Sequence, residues 1–307
     1  MAAPIPSLED REKQSVALSS LLAAVGLTAF KIVVGLATGS LGILAEAAHS
    51  GLDLIAAGMT LVAVRISSRP PDRSHLYGHG KLENLSALFE TLLLLLTCGW
   101  VAWEASHRLI AQRTGVQVTV WSFAVMLISI ATDISRSRVL SHTAKKYHSQ
   151  ALEADALHFQ TDIWSSTVVI FGLIAVLAAD RLPAAGWLRQ GDAVAALGVS
   201  ALVVWVSVRL GQRSIDALMD HAPIGMEGRI AELVAAVPGV LDCHNLRVRY
   251  SGPQLFIDCH VLVDGAQTLT QAHRLTDRIE EEIQALVPGA DVTVHPEPFE
   301  GEQPRPQ

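Results

Sequence analysis

The chain carries six apolar segments, each near the length at which an α-helix crosses the hydrocarbon core of a lipid bilayer. They lie at residues 15–38, 41–66, 83–107, 117–136, 153–179 and 192–210. Of the 307 residues, 50% are hydrophobic and only 17% are charged, which is too apolar for an ordinary soluble protein. The segments therefore predict a membrane protein whose main part is an all-α bundle of six transmembrane helices.

The basic residues between these segments predict the orientation of the bundle. They are dense in the N-terminal segment and in every second loop, at Arg11, Lys13, Arg65, Arg69, Arg73, Lys81, Arg136, Arg138, Lys145 and Lys146. The alternate loops carry only Arg108, Arg113, Arg181 and Arg189. Because Lys and Arg concentrate on the cytoplasmic side of a membrane, and six crossings return the chain to its starting side, we expect both termini in the cytoplasm.

Two His-x-x-x-Asp pairs lie inside the second and fifth segments: His49 with Asp53, and His158 with Asp162. A spacing of four residues places both side chains of a pair on one face of a helix. A carboxylate near the bilayer centre costs about 2.5–3.5 kcal/mol, so two of them imply a compensating cation, proton or partner. Together the pairs offer two imidazole nitrogens and two carboxylate oxygens, a near-tetrahedral set that suits Zn²⁺ and similar divalent ions. For any one of these residues alone, an interhelical hydrogen bond is the plainer role.

The loop between the second and third segments, PPDRSHLYGHGKLEN, contains a second group of candidate ligands. Asp72, His75 and His79 are spaced three and four residues apart, so they could enclose a metal ion at the membrane surface. A polar loop rich in histidine is also often merely solvated. The spacing leaves both interpretations open.

The pattern changes after Gly211. An amphipathic stretch, two alternating runs, a second amphipathic stretch and a last alternating run predict the order αββαβ, a small α+β domain exposed to the cytosol. The predicted domains are a cytosolic N-terminal segment at 1–14, the transmembrane domain at 15–210, a cytosolic metal-binding and dimerisation domain at 211–299, and a disordered tail at 300–307. Residues 211–307 carry 15 acidic and 7 basic side chains, which disfavours nucleic acid as a partner and favours cations.

Strand alternation in this C-terminal part places polar side chains opposite the apolar ones. Asp258 and His260 face away from the predicted core, and His295 shares one side of the last strand with Glu297. Five residues of this part are therefore candidate ligands of a cytosolic metal site, His244, His260, His273, His295 and Glu297. Taken singly, each of these histidines is more often an ordinary surface residue.

Three more charged residues lie inside or at the edge of apolar segments. For Lys31 and Glu90 the sequence indicates only snorkelling toward the interface. Asp155 lies one turn before His158 and could join the metal ligands. We expect it instead to be solvated at the cytoplasmic end of the fifth segment.

These motifs together resemble the cation diffusion facilitator family, and specifically its bacterial, six-span, zinc-type members. The resemblance rests on the paired four-residue spacings, on the loop pattern D-x-x-H-x-x-x-H-G-K, and on an acidic C-terminal part with NLRVRYSGP followed by spaced histidines. It implies a homodimer in the bacterial inner membrane that exports a divalent metal ion from the cytoplasm in exchange for protons. It also implies a ferredoxin-like, metallochaperone-like fold for the C-terminal domain.

The resemblance further implies roles for individual residues. The transport site would be His49, Asp53, His158 and Asp162, the loop site Asp72, His75 and His79, and the cytosolic site the five C-terminal ligands. A charge interlock between the third span and the C-terminal domain would pair Lys81 with Asp220. Several bacterial relatives have aspartate where this chain has His49, so its ligand set favours Zn²⁺ as substrate and regulatory ion. Cd²⁺, Co²⁺, Ni²⁺ and Fe²⁺ stay open as alternatives.

Two other functions share the same ligands. A membrane-embedded metal sensor would bind the ion without transporting it. An intramembrane zinc hydrolase would need a general base, yet the sequence has no H-E-x-x-H motif and no glutamate directly after His49 or His158. The sequence therefore predicts a secondary active transporter rather than an enzyme.

Overall fold

The structure, a computed structural model, describes residues 7–111, 120–181 and 191–299. The chain divides into two compact units, Met1–Ile215 and Asp216–Gln307. The predicted disordered tail at 300–307 lies outside the described residues, as do Arg113 and Arg189, which entered the prediction of orientation.

In the part of the chain that the structure describes, six long helices lie between Leu8 and Leu218. Their bounds are α1 Leu8–Thr38, α2 Leu41–Ser67, α3 Lys81–Ala111, α4 Val120–Tyr147, α5 Gln150–Arg181 and α6 Gly191–Leu218. Within the described residues, three helical stretches are long and apolar enough to cross a membrane: Leu8–Thr38, Glu46–Ser67 and Lys81–Trp103. The other three of the six predicted crossings stay a prediction.

Helices α1 and α2 form the tight antiparallel hairpin that the short turn between them predicts. Helix α1 begins at a capping box in which Ser7 and Asp10 bind each other's backbone N–H, and it ends at Gly39, whose φ of 64° is left-handed. The Ser40 side chain then accepts the N–H of Ile43 and caps α2. A Cβ on Gly35 would lie 2.7 Å from the Leu44 side chain, so glycine allows the two helices to approach closely.

Helices α3, α4 and α5 pack around this hairpin. Helix α4 packs against α1 and α5, and α3 packs against α2 and α5. Apolar side chains from four helices meet in one cluster that includes Ala17, Leu61, Leu140, Leu152 and Phe159. This arrangement places α2 and α5, the two helices with His-x-x-x-Asp pairs, in contact with each other.

The second unit has the predicted order αββαβ: α7 Met226–Ala235, β1 Val240–Ser251, β2 Gln254–Asp264, α8 Leu269–Leu286 and β3 Asp291–Phe299. The sheet order is β1-β2-β3, with β1 antiparallel and β3 parallel to β2. Ile230 of α7 and Ile279 of α8 pack with Ile257 and Val261 of β2 in one core. Because both helices cover the same face of the sheet, the alternate residues of the strands line the opposite face.

Candidate metal sites

The four residues of the two His-x-x-x-Asp pairs converge between α2 and α5, and we call them the bundle cluster. His158 Nε2 lies 3.0 Å from Asp53 Oδ1 and 3.6 Å from Asp162 Oδ2. His49 Nε2 lies 3.8 Å from Asp162 Oδ1. Ligand atoms of His49, Asp53 and Asp162 all lie within 4.8 Å of one another. The structure therefore brings all four side chains to one place, each helix contributing one histidine and one aspartate.

These separations fit the requirements of a tetrahedral ion. Metal–ligand bonds of about 2.0–2.1 Å in tetrahedral geometry place neighbouring ligand atoms about 3.4 Å apart. The observed contacts between histidine and aspartate atoms, from 3.0 to 3.8 Å, bracket that value. These three contacts therefore have the spacing of neighbouring ligands around one tetrahedral ion.

The bundle cluster is closed at one end and accessible at the other. The His158 side chain is 3% exposed, whereas that of His49 is 41% exposed. The Nδ1 atom of His158 is buried and has no hydrogen-bond partner among the described residues. An ion could therefore approach from the side of His49.

Two predictions about charged residues in the helices are wrong. Lys31 does not snorkel: it is buried, its Nζ donates to Ser50 Oγ at 2.7 Å, and it lies 3.4 Å from Glu46 Oε2. Glu90 is fully buried and accepts a hydrogen bond from Thr60 Oγ1. Both side chains are held by polar residues of α2, which the sequence could not reveal because those partners are distant in the chain.

Asp155 is not solvated, contrary to the sequence-based expectation. It is fully buried, and its Oδ2 accepts a hydrogen bond from Ser20 Oγ of α1 at 3.2 Å. The same Ser20 oxygen accepts from Nη2 and Nε of Arg136, a buried residue of α4, at 3.0 and 3.2 Å. By sequence, Arg136 is only a loop cation, because it lies at the end of an apolar segment.

A buried ion pair joins the N-terminal part of α1 to the start of α3. Lys13 Nζ lies 3.3 Å from Glu83 Oε1, and the Glu83 carboxylate also accepts from Ser67 Oγ at 3.0 Å and from Ser149 Oγ. Glu83 thereby connects α3 to α1, to the end of α2 and to the junction of α4 with α5. Its sequence position at the start of a helix gave no sign of this burial.

The loop residues Asp72, His75 and His79 also come together, and we call them the loop cluster. Asp72 Oδ1 accepts the backbone N–H of His75 at 2.7 Å and both the N–H and the Oγ of Ser74 at 2.8 Å. These bonds, that of the His75 N–H foremost, hold the pKa of Asp72 well below its usual range. Asp72 Oδ2 lies 3.4 Å from His79 Nε2. One carboxylate oxygen thus shapes the turn while the other faces a histidine.

Three histidines of the C-terminal unit occupy one row across its sheet. His244 of β1 pairs in register with His260 of β2, which pairs with His295 of β3. Their ring centroids are 5.6 Å apart for His244 and His260, and 4.8 Å apart for His260 and His295. We call these three residues and Glu297 the sheet cluster. The sequence located the residues on outward faces but could not predict their shared row, because strand register depends on pairing in three dimensions.

Glu297 reaches back toward this row from two residues further along β3. Its carboxylate accepts from His260 Nδ1 at 2.7 Å and from His244 Nε2 at 3.1 Å. The hydrogen bond from His260 holds the pKa of Glu297 below its usual range. His244, His260 and Glu297 form a group with metal-ligand spacing, and His295 Nε2 lies 3.9 Å from Glu297.

His273 does not join the sheet cluster. It lies on α8, which covers the opposite face of the sheet, and its Nδ1 lies 3.7 Å from Asp277 Oδ1 on the same helix. Sequence spacing alone could not separate the two faces of the sheet.

The predicted charge interlock consists of Lys81 and Asp220. Asp220 lies 3.3 Å from Arg249 of its own unit, and Lys81 is the first residue of α3. The pairing of Lys81 with Asp220 stays a prediction.

Family models match nearly the whole chain. Residues 17–219 match a model described as the cation efflux transmembrane domain. Residues 226–299 match a model described as the cytoplasmic domain of cation efflux proteins. The division between these matches falls at the end of α6.

Individual relatives are similar over the same length. A cation-efflux pump FieF from Pectobacterium atrosepticum is 31% identical over 288 residues, 92% of this chain and 91% of the relative. A protein of the same name from Serratia proteamaculans is 32% identical over 294 residues, 93% and 92% of the two chains.

Two solved structures are similar to part of the chain. A structure of CzrB in its zinc form is 34% identical, with a TM-score of 0.24, over 27% of this chain and 94% of that one. A variant of the MamM CTD in its cadmium form is 30% identical, with a TM-score of 0.23, over 24% and 91%.

Proposed function

Because the chain belongs to the cation efflux family, also called the cation diffusion facilitator family, we propose that this cation efflux transporter exports Zn²⁺ in exchange for protons. The observation that carries the proposal is the bundle cluster, in which histidine and aspartate ligands from α2 and α5 meet at separations of 3.0 to 3.8 Å. Two carboxylates would neutralise the charge of a dication within the helix bundle.

Zn²⁺ is the proposed substrate because the ligand set offers two nitrogens and two oxygens, a composition that suits a tetrahedral zinc site. Zn²⁺ has no geometric preference from d electrons and accepts this mixed set readily. Cd²⁺, Co²⁺, Ni²⁺ and Fe²⁺ accept overlapping ligands, and availability in the cell also selects among them.

Exchange for protons follows from the chemistry of the ligands. Imidazole and carboxylate groups bind a metal ion only in their deprotonated forms, so metal binding releases protons and protonation releases metal. In the proposed cycle, alternating access carries the bundle cluster between a cytoplasm-facing and an outward-facing state. Each helix contributes one complete His-x-x-x-Asp pair, so movement of α2 against α5 would open or close the site.

The proposal includes a specific placement in the membrane. We propose six crossings with both termini in the cytoplasm of a bacterial cell, the chain being integral to the inner membrane. The C-terminal unit would lie in the cytosol and hold two copies together as a homodimer, with Lys81 and Asp220 as the charge interlock. Metal binding at the sheet cluster would tighten this dimer and favour transport. The loop cluster would be an additional metal site at the membrane surface.

The test is metal-driven proton flux in proteoliposomes, measured for the wild type and for Asp162→Ala and His49→Ala. We expect flux with Zn²⁺ in the wild type and none in either variant, with dimerisation and thermal unfolding unchanged. Wild-type flux in either variant would refute the site. Metal binding without accumulation in wild-type vesicles would instead support a membrane sensor.

A further inference from the structure

Arg136 is a permanent positive charge buried inside the helix bundle. Its guanidinium carbon lies 3.6 Å from the centroid of the Phe159 ring, and Nη1 lies 3.7 Å from Asp133 Oδ1. Arginine stays protonated under all ordinary conditions, so this charge cannot be removed by titration. A buried cation in such a place needs anions nearby, and their positions indicate what it serves.

Arg136 lies close to the bundle cluster, near His158. Phe159, on which the guanidinium stacks, is the neighbour of His158 on α5, and the centroids of the two rings are 5.6 Å apart. Through Ser20, Arg136 is also connected to Asp155, one turn before His158. The carboxylates within electrostatic range of the guanidinium are Asp155, Asp133, Asp53 and Asp162.

We propose that Arg136 is a built-in counter-cation of the bundle cluster: it compensates the carboxylates while no metal is bound and repels the dication once it binds. The proposal rests on the proposed transport function. An exporter must release its ion as well as bind it, and four ligands with two carboxylates would otherwise hold Zn²⁺ tightly. A fixed positive charge behind the ligands weakens the complex without occupying a coordination position.

Lys31, the other buried cation near this site, differs in its pairing. Its Nζ lies 3.4 Å from Glu46 and is bonded to Ser50, so its charge is compensated by a residue of α2 outside the cluster. The acidic residues around Arg136 are those of the cluster together with Asp155 and Asp133. Lys31 also acts electrostatically on Asp162, so both buried cations bear on the cluster. Arg136 is the one whose charge is fixed under all ordinary conditions.

The test measures Zn²⁺ affinity of the bundle cluster in the full-length protein in lipid nanodiscs. His75→Ala, His79→Ala, His260→Ala and Glu297→Ala together remove the other two clusters. Against this background we expect Arg136→Gln to lower the Kd for Zn²⁺ about tenfold, because the variant loses a unit charge that repels the ion. Arg136→Lys should keep the Kd within about threefold. Arg138→Gln, an exposed arginine two residues further along α4, is the matched control and should not change it.

Asp155→Asn supplies a change of opposite sign. It removes an anion near Arg136 and leaves the guanidinium in place, so we expect the Kd to rise several-fold. Its matched control is Glu153→Gln, which lies on the same helix but is paired with Arg213 at the surface. A merely structural role for Arg136 and Asp155 would weaken binding in both variants.

The outcomes separate this inference from the transport function. An unchanged or higher Kd in Arg136→Gln overturns the counter-cation, and if that variant does not fold, an unchanged or lower Kd in Asp155→Asn does so. In proteoliposomes Arg136→Gln should lower both KM and turnover, because metal leaves more slowly. A wild type that binds Zn²⁺ without transporting it refutes the transport function and leaves the affinity comparison valid. A wild type that binds no metal at the bundle cluster refutes both.

Discussion

The bundle cluster and the sheet cluster use the same ligand types in opposite settings. In the bundle, ligands come from two helices, and His158 and Asp53 are buried. On the sheet, three histidines stand in one register row, and their positions are set by the hydrogen bonds between strands. A site shared by two helices can change when the helices move, whereas a site on one sheet keeps its geometry. The difference fits a transported ion in the first and a regulatory ion in the second.

The largest expected effect is a difference in transport rate between variants of the bundle cluster and variants of the sheet cluster. Asp53→Ala should reduce Zn²⁺ transport more than ~100-fold, since even the outer-shell partners of metal ligands are worth about 10–100-fold. Glu297→Ala, which removes a carboxylate of the sheet cluster, should reduce it by less than about tenfold. Initial rates of uptake into proteoliposomes check both. Equal losses would end the assignment of different roles.

The next prediction compares a buried with an exposed ion pair of the bundle by the stability that each contributes. Lys13→Met leaves Glu83 buried without its cation and should lower the free energy of unfolding by about 3 kcal/mol. The pair has side-chain exposures of 2% and 0%, whereas Lys146 and Glu12 form a pair with exposures of 47% and 41%. Lys146→Met is therefore the control and should lower the free energy of unfolding far less, because solvent screens an exposed pair. Thermal unfolding in nanodiscs measures both variants. Similar losses of stability would show that burial does not set the contribution of these ion pairs.

A smaller effect is expected at the sheet cluster. His260→Ala combined with His295→Ala removes two of the three rings in the row, so metal should no longer change the separation between the C-terminal units of a dimer. Distance measurements by spin labels, with and without Zn²⁺, check this. His273→Ala is the matched control, because that histidine lies on the other face of the sheet. A metal response lost in His273→Ala but kept in the double variant would reverse the assignment.

The smallest expected effect is a change in the stability of the C-terminal unit at low pH. The pKa of Glu297 lies below its usual value because His260 donates a hydrogen bond to the carboxylate. The group therefore contributes stability that is complete above its usual pKa and is lost as the pH falls through the lower value in the folded chain. Glu297→Gln should remove the part of the fall in stability that titration of this carboxylate causes below about pH 4.5. The pH dependence of stability near pH 7 should not change. Unfolding followed by circular dichroism from pH 3 to 7 measures it, with the exposed Glu281→Gln as control.

Several features were predictable because they are local in the chain. The spacing of four residues within one helix placed His49 beside Asp53 and His158 beside Asp162, since helical geometry alone determines that relation. Strand alternation likewise placed His260 opposite the core of the C-terminal unit, and its αββαβ order is confirmed. The motifs also predicted the family, which the family models confirm.

Other features required the folded chain. Asp155 and Lys31 were misjudged because their partners, Ser20 and Ser50, are brought to them by helix packing. His273 was grouped with the sheet cluster because composition does not reveal which face of a sheet a helix covers.

The sequence by itself determined which residues carry the chemistry and how each helix or strand presents them, because those relations span only a few residues. Only the tertiary structure decided which of them meet, which charges are buried and that Arg136 is buried against Phe159 and Ser20. The physical reason is that burial and electrostatic environment are set by contacts between helices and strands that are far apart in the chain.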